Sequence, residues 1–125
     1  VTNPLADKWV LLPSEQAEIK AATDSYNATI SSVAASKGLA LVDLNAILTE
    51  ATNNGYQTGD FTLTTDLVTG GLVSLDGIHL TARGYALMAN EFLRAIDATY
   101  GSNFEASGNF ANAGSYPTNY SPLLQ

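Results

Sequence analysis

Gly38-Leu39-Ala40-Leu41-Val42-Asp43 is the stretch on which the fold class turns. Four apolar residues run unbroken from a helix-stopping glycine to an aspartate. A run that short, with no polar alternation, predicts a strand buried on both faces, as in a parallel sheet. Upstream, Ser14 suits a helix N-cap, with Glu15 and Glu18 in a first turn where the helix dipole favours negative charge. Ile19, Ala22, Tyr26, Ile30, Val33 and Ala34 then recur at three- and four-residue spacing, which predicts one buried face on a helix that Gly38 ends. Downstream, Asn45 can cap a short helix through Ile47, Leu48 and Ala51, closing near Asn53-Asn54-Gly55. Helix, buried strand and helix are α/β punctuation. One central strand is too little for a whole α/β domain, so the chain reads as part of one.

Thr81 predicts a second long helix, Ala82 to about Tyr100, with Tyr85, Met88, Ala89, Phe92 and Ile96 as its buried stripe and Gly101 as its stop. Between the two halves, residues 55–78 are rich in Gly and Thr and read as irregular, with a small hairpin around Gly70-Gly71. The expected organisation is a domain portion over 1–101 and an irregular tail over 102–125. The tail should dock partly through Phe104, Phe110, Tyr116 and Tyr120.

The bulk composition sets limits. The 125 residues fit one domain. Five basic residues against twelve acidic ones give a formal charge of −7, and no basic cluster exists to meet a nucleic acid or an anionic membrane. Without cysteine there is no disulfide, thiol catalysis or thiolate zinc site. No long apolar run or signal peptide is present. Scarce Lys with abundant Thr, Asn, Ser and Gly resembles exported bacterial proteins, which points to an extracytoplasmic setting. The chain opens on Val1 and a turn-like Asn3-Pro4, consistent with processing or truncation of a longer protein.

The chemistry concentrates in Ser74-Leu75-Asp76-Gly77-Ile78-His79-Leu80-Thr81. His79 is the sole histidine and stands two residues ahead of a helix start, where the positive helix end favours the neutral, proton-accepting ring. Asp76, three residues earlier across a turn at Gly77, can reach the other ring nitrogen, fix the tautomer and stabilise the cation formed when the base takes a proton. The plainer reading of the same residues is structural. A lone histidine near a helix start is often a cap or surface residue, and an aspartate there can close an Asx-turn on the Gly77 and Ile78 amides.

Asp76-Gly77-Ile78-His79-Leu80-Thr81, followed by Ala82-Arg83-Gly84-Tyr85 and Met88-Ala89, resembles the last sequence block of the SGNH, or GDSL-type, serine hydrolases. Trp9-Val10-Leu11-Leu12-Pro13-Ser14, Tyr26-Asn27, Leu41-Val42-Asp43 and Val68 to Leu75 are similar to segments that precede that block in bacterial members. The resemblance covers roughly residues 5–100. It implies a flavodoxin-like, three-layer α/β/α fold whose N-terminal strands are missing from this chain. It also implies His79 as general base, Asp76 as its orienting partner, no cofactor and no metal. The reaction implied is hydrolysis of a lipid, short acyl or acetylated-carbohydrate ester through an acyl-enzyme.

The family's other blocks are absent. The nearest string to its Gly-Asp-Ser is Gly59-Asp60-Phe61, and Asn53, Asn54 and Asn119 lack the surroundings of its oxyanion residues. Ser74 shares one short segment with Asp76, which disfavours it as nucleophile. The chain alone is therefore expected to be inactive and to associate with the N-terminal part of the same hydrolase or with itself. The alternative is a non-catalytic binding domain that keeps the scaffold. A metal site from His79, Asp76 and either Asp60 or Asp66 is a poor donor set for a transition ion.

Overall fold

The computed structural model describes residues 3–119. The chain divides into two compact units, Val1–Leu39 and Ala40–Gln125.

In the first unit a 3-10 turn at Asp7–Trp9 leads to helix α1, Pro13–Lys37. Pro13, not Ser14, opens the helix. Its fixed φ suits the first helical position, where a missing N–H costs nothing, and the Glu15 carboxylate reaches back to accept from the Leu12 N–H at 2.8 Å. At the far end Leu39 N–H bonds to the Ala34 carbonyl at 2.9 Å, closing the helix at Gly38. The expected buried face is not buried. Ala34 is the one buried residue of α1, while Ile19, Tyr26, Ile30 and Val33 are half or more exposed. The periodicity correctly marks an apolar stripe, but nothing within the unit covers it.

The second unit overturns the parallel-sheet expectation. Residues 39–42 form no strand. A strand exists only where a neighbour takes its backbone donors and acceptors, and here the Ala40 N–H goes to the Tyr100 hydroxyl at 3.0 Å. Helix α2, Leu44–Asn53, follows at once, capped by Asp43 through a 2.9 Å bond from the Ala46 N–H. Asn45, expected as the cap, lies inside its first turn. The sheet is a single antiparallel pair, β1 (Tyr56–Thr58) and β2 (Phe61–Leu63), in register Tyr56–Leu63, Gln57–Thr62 and Thr58–Phe61. Its turn is Gly59-Asp60 rather than Gly70-Gly71. Among the described residues, three α-helices and this two-stranded sheet replace the three-layer α/β/α fold.

Helix α3 runs Ala82–Tyr100 as expected, with the Thr81 hydroxyl accepting from the Gly84 N–H at 2.9 Å. Its buried face is rotated from the expected stripe. Ala86, Leu87 and Met88 are buried, whereas Tyr85 and Phe92 are about half exposed. Gly84 sets that rotation. A Cβ there would lie 2.5 Å from the Leu72 carbonyl oxygen, so only glycine lets the helix start lie flat on that strand-like segment. Leu72 and Leu87 are fully enclosed, with Ile47, Ala51, Leu63 and Met88 completing the core. Enclosing each such leucine is worth about 1.5–3 kcal/mol.

The described part of the tail docks mainly through polar clamps. Asn90 bonds Ala111 through both its amide groups, at 2.9 and 2.7 Å. The Arg83 guanidinium donates to the Ala113 and Tyr116 carbonyls at 3.0 and 3.1 Å and lies 3.9 Å over the Phe61 ring. Phe104 and Phe110 are partly buried, while Tyr116 is exposed. Tyr120, expected among the docking residues, lies outside the described residues.

Candidate functional site

Local backbone bonding builds the loop that carries Asp76 and His79. Val73 and Leu80 form an antiparallel bridge. The Thr81 N–H bonds to the Leu72 carbonyl at 2.9 Å and the Ser74 N–H to the His79 carbonyl at 2.8 Å. Residues 74–79 are thus closed at the neck. Inside, the Gly77 N–H bonds to the Ser74 carbonyl at 3.0 Å, and Gly77 takes φ 71°. A Cβ there would meet nothing within 4 Å, so glycine is needed for the left-handed turn and not for space.

That turn brings Asp76 back over its own loop. Oδ1 accepts from the Ile78 and His79 amides, each at 2.9 Å, and from the Ser74 hydroxyl at 2.7 Å. Oδ2 lies 2.7 Å from Nδ1 of His79. Each oxygen thus makes one kind of contact: Oδ1 closes a turn on the Ile78 and His79 amides, where Gly77 and Ile78 are expected from the sequence, and Oδ2 meets the imidazole. In the Nδ1–H tautomer the ring donates to Oδ2, and Nε2 is left as the free acceptor. The Ser74 hydroxyl, the His79 ring and the two amides, in that order, hold the Asp76 carboxyl well below the usual carboxylate range. The pair is open to solvent, with His79 69% and Asp76 50% exposed at the side chain. Ile78, beside it, is 80% exposed.

The other candidates are not part of this cluster. Asp66 accepts from the Thr64 hydroxyl at 2.8 Å, and Asp60 occupies the hairpin turn. Among the described residues no three His, Asp or Glu side chains converge as a metal centre requires. Gly59-Asp60-Phe61 closes β1 on β2. Asn54 bonds to the Glu50 carboxylate at 3.1 Å. Asn119 donates to the Val73 carbonyl at 3.0 Å, which ties the tail to the neck of the loop.

Sequence reading missed three supporting residues. Ser74, which its sequence position disfavours as a nucleophile, donates its hydroxyl to Asp76, and the Ser-x-Asp spacing is the available signal. Thr81 does more than cap α3, because its hydroxyl also donates to the Gly71 carbonyl at 2.6 Å. Arg83 anchors the tail, which no local pattern announces. A shallow cavity of about 300 Å³, lined by Leu41, Val42, Ile47, Arg94 and Ala98 among others, includes no residue of the 74–79 loop.

No protein-family model matches the chain, and no curated protein or solved structure is similar to it. Among the described residues no helix is long and apolar enough to cross a membrane.

Proposed function

We propose that this chain supplies the general-base pair of a serine-type ester hydrolase of the SGNH class. His79 is the base and Asp76 its orienting carboxylate. The nucleophilic serine and the oxyanion donors come from a further segment of polypeptide. The observation that carries this reading is the 2.7 Å contact between Asp76 Oδ2 and His79 Nδ1, with Oδ1 already occupied by the loop's own amides. A carboxylate so held aims Nε2 outward as a base and stabilises the imidazolium that forms.

In this mechanism Nε2 takes the proton of the serine hydroxyl as its oxygen attacks the ester carbonyl. The imidazolium then gives that proton to the departing alkoxide, leaving an acyl-enzyme and a free alcohol. Water, deprotonated in the same way, releases the carboxylic acid and restores the serine. Short acyl esters, acetylated carbohydrates and lipids share the acyl group on which these steps act. The wide exposure of the pair suits a site completed by another segment, either the N-terminal part of the same hydrolase or a second copy. The Lys-poor, Thr-, Asn- and Ser-rich composition supports an extracytoplasmic setting in a bacterium.

One observation favours a second reading, a binding module without catalysis: the serine hydroxyl nearest His79 in sequence, that of Ser74, is committed to Asp76. Treatment with a fluorophosphonate probe and intact-mass analysis separates the two. Labelling of a companion polypeptide, lost when His79 is replaced, supports the split hydrolase. An adduct on this chain would overturn the assignment of the nucleophile to another segment. No adduct in any companion preparation would leave the binding module.

A further inference from the structure

We propose that Ser74 is a positioning residue for the Asp76–His79 pair: its hydroxyl occupies Oδ1 of the carboxylate and leaves Oδ2 to one partner, the Nδ1–H of His79. Its effect on turnover rests on the hydrolase reading above, whereas its effect on the imidazole does not.

A carboxylate offers about four acceptor directions in its plane. Oδ1 of Asp76 receives three donors, the Ser74 hydroxyl at 2.7 Å and the Ile78 and His79 amides at 2.9 Å, while Oδ2 has the His79 ring alone at 2.7 Å. The two amides belong to the loop backbone and remain whatever the side chains are. Ser74 Oγ and the His79 ring are thus the side-chain donors that decide how the carboxylate is turned. No Lys or Arg is among its partners, so hydrogen bonding sets the arrangement.

Ser74 is well placed to impose it. Its N–H bonds to the His79 carbonyl and its C=O accepts from the Gly77 N–H, at 2.8 and 3.0 Å. Those bonds fix its Cβ without help from the core. Ser74 is also partly buried, whereas Asp76 and His79 are exposed. Water therefore competes more readily for the carboxylate than for the hydroxyl that holds it. Without the hydroxyl, the two amides alone hold Oδ1, and the carboxylate plane is free to swing away from the ring. The ring then loses its single fixed partner and with it the bias toward the tautomer that leaves Nε2 free. The same hydroxyl is the largest influence keeping the Asp76 carboxyl in its charged form. A hydroxyl that gives its proton to Asp76 is also not one that gives it to His79, so positioning and nucleophilic roles are mutually exclusive here.

The sole histidine makes a direct test possible on this chain alone. Nitrogen-15 NMR of the neutral His79 ring reads the tautomer ratio, and the Nδ1–H proton reads its hydrogen bond. Wild type should show the Nδ1–H form with a slowly exchanging, downfield proton. Ser74→Ala should lose that proton signal and shift the tautomer ratio by about tenfold, the equivalent of one ordinary hydrogen bond. Ser74→Thr, which keeps the hydroxyl, should restore both. A merely structural role would instead disturb amide shifts throughout residues 72–81 and would leave the ring tautomer unchanged.

With the nucleophile-bearing segment present, Ser74→Ala should lower kcat by about tenfold at unchanged KM, with recovery in Ser74→Thr. A folded Ser74→Ala variant with wild-type ring signals overturns the proposal, even if the wild type is an active hydrolase. The predicted ring changes in a protein with no hydrolase activity would instead overturn the function and leave the positioning role standing.

Discussion

The loop 74–79 and the apolar run 39–42 respond differently to the same requirement, that polar backbone and apolar surface find partners. In the loop, Ser74, Asp76, Gly77, Ile78 and His79 satisfy one another across a few residues. The run 39–42 has the composition of a central strand but no neighbour, and one of its amides is taken by Tyr100 instead. Its leucines, Leu39 and Leu41, stay substantially exposed, as does the apolar stripe of α1. Chemistry that closes over three or four residues carries its partners within its own sequence. A strand whose partners are far away in sequence, or on another polypeptide, does not form by composition alone.

The largest expected effects lie in the loop and concern activity. With the nucleophile-bearing segment present, His79→Ala should lower kcat by about 10⁴- to 10⁶-fold, and Asp76→Asn by about 10⁴-fold. Circular dichroism and melting temperature should stay close to wild type for His79→Ala, because that side chain is mostly solvent-exposed. Substantial activity in His79→Ala would remove its role as base. A loss of fold in the same variant would make the loop structural and erase the contrast drawn above.

Stability separates the regions next. Leu87, 1% exposed, should cost about 2–5 kcal/mol when replaced by alanine. Ile30, on the open face of α1, should change stability by no more than about 0.5 kcal/mol when replaced in the same way. Urea unfolding of both variants measures the difference. A large cost at Ile30 would show that the α1 stripe is covered in solution, and the two regions would then differ less than their exposures indicate.

The legibility of the sequence follows the same division. Helix α3 and its Thr81 cap, the stop at Gly38 and the short helix after residue 43 could be read because caps, glycine stops and periodicity are local. So could the turn that joins Asp76 to His79, since its spacing and glycine lie within the loop itself. The strand at 39–42 could not be judged, because an apolar run records burial preference but not the presence of a neighbour. The hairpin lies elsewhere than the sequence indicates because Gly70-Gly71 is the stronger glycine signal, yet the Thr64 N–H reaches the Gly70 carbonyl in a wider turn while Gly59-Asp60 joins the paired strands. The rotation of α3 depends on the approach of Gly84 to Leu72, a contact between segments that a helical wheel does not contain. Ser74 was legible in principle, through its position two residues before Asp76.

A pH series gives a smaller effect from the same loop. The carboxyls of Asp76 and Asp97 are both lowered from 3.8 in the folded chain. Burial opposes the shift at Asp97, but the bonds from the Glu105 amide, the Ser102 hydroxyl and the Phe104 amide outweigh it. A depressed folded value contributes stability that is complete above the unfolded value and is lost as pH falls toward the folded one. Unfolding midpoints should therefore drop as pH falls below about 4, and Asp76→Asn should flatten that limb by lowering the midpoint at neutral pH, where the contribution is complete, and converging with wild type at acid pH. An unchanged acid limb in both Asp76→Asn and Asp97→Asn would mean that these carboxylates are not held as described.

The smallest expected change is a gain. Val68 sits at φ 79°, the one non-glycine residue with positive φ among those described, on an exposed turn. A β-branched side chain in that region costs about 1–2 kcal/mol through its Cβ. Glycine removes that cost but adds about 0.5–1 kcal/mol of backbone entropy in the unfolded chain. Val68→Gly should therefore raise stability by roughly 0.5–1 kcal/mol, since little packing is lost at a side chain already 44% exposed. A drop in the unfolding midpoint would mean that Val68 makes contacts outweighing its strain. The turn over residues 64–70 would then belong with loop 74–79, among the segments whose residues settle their own conformation.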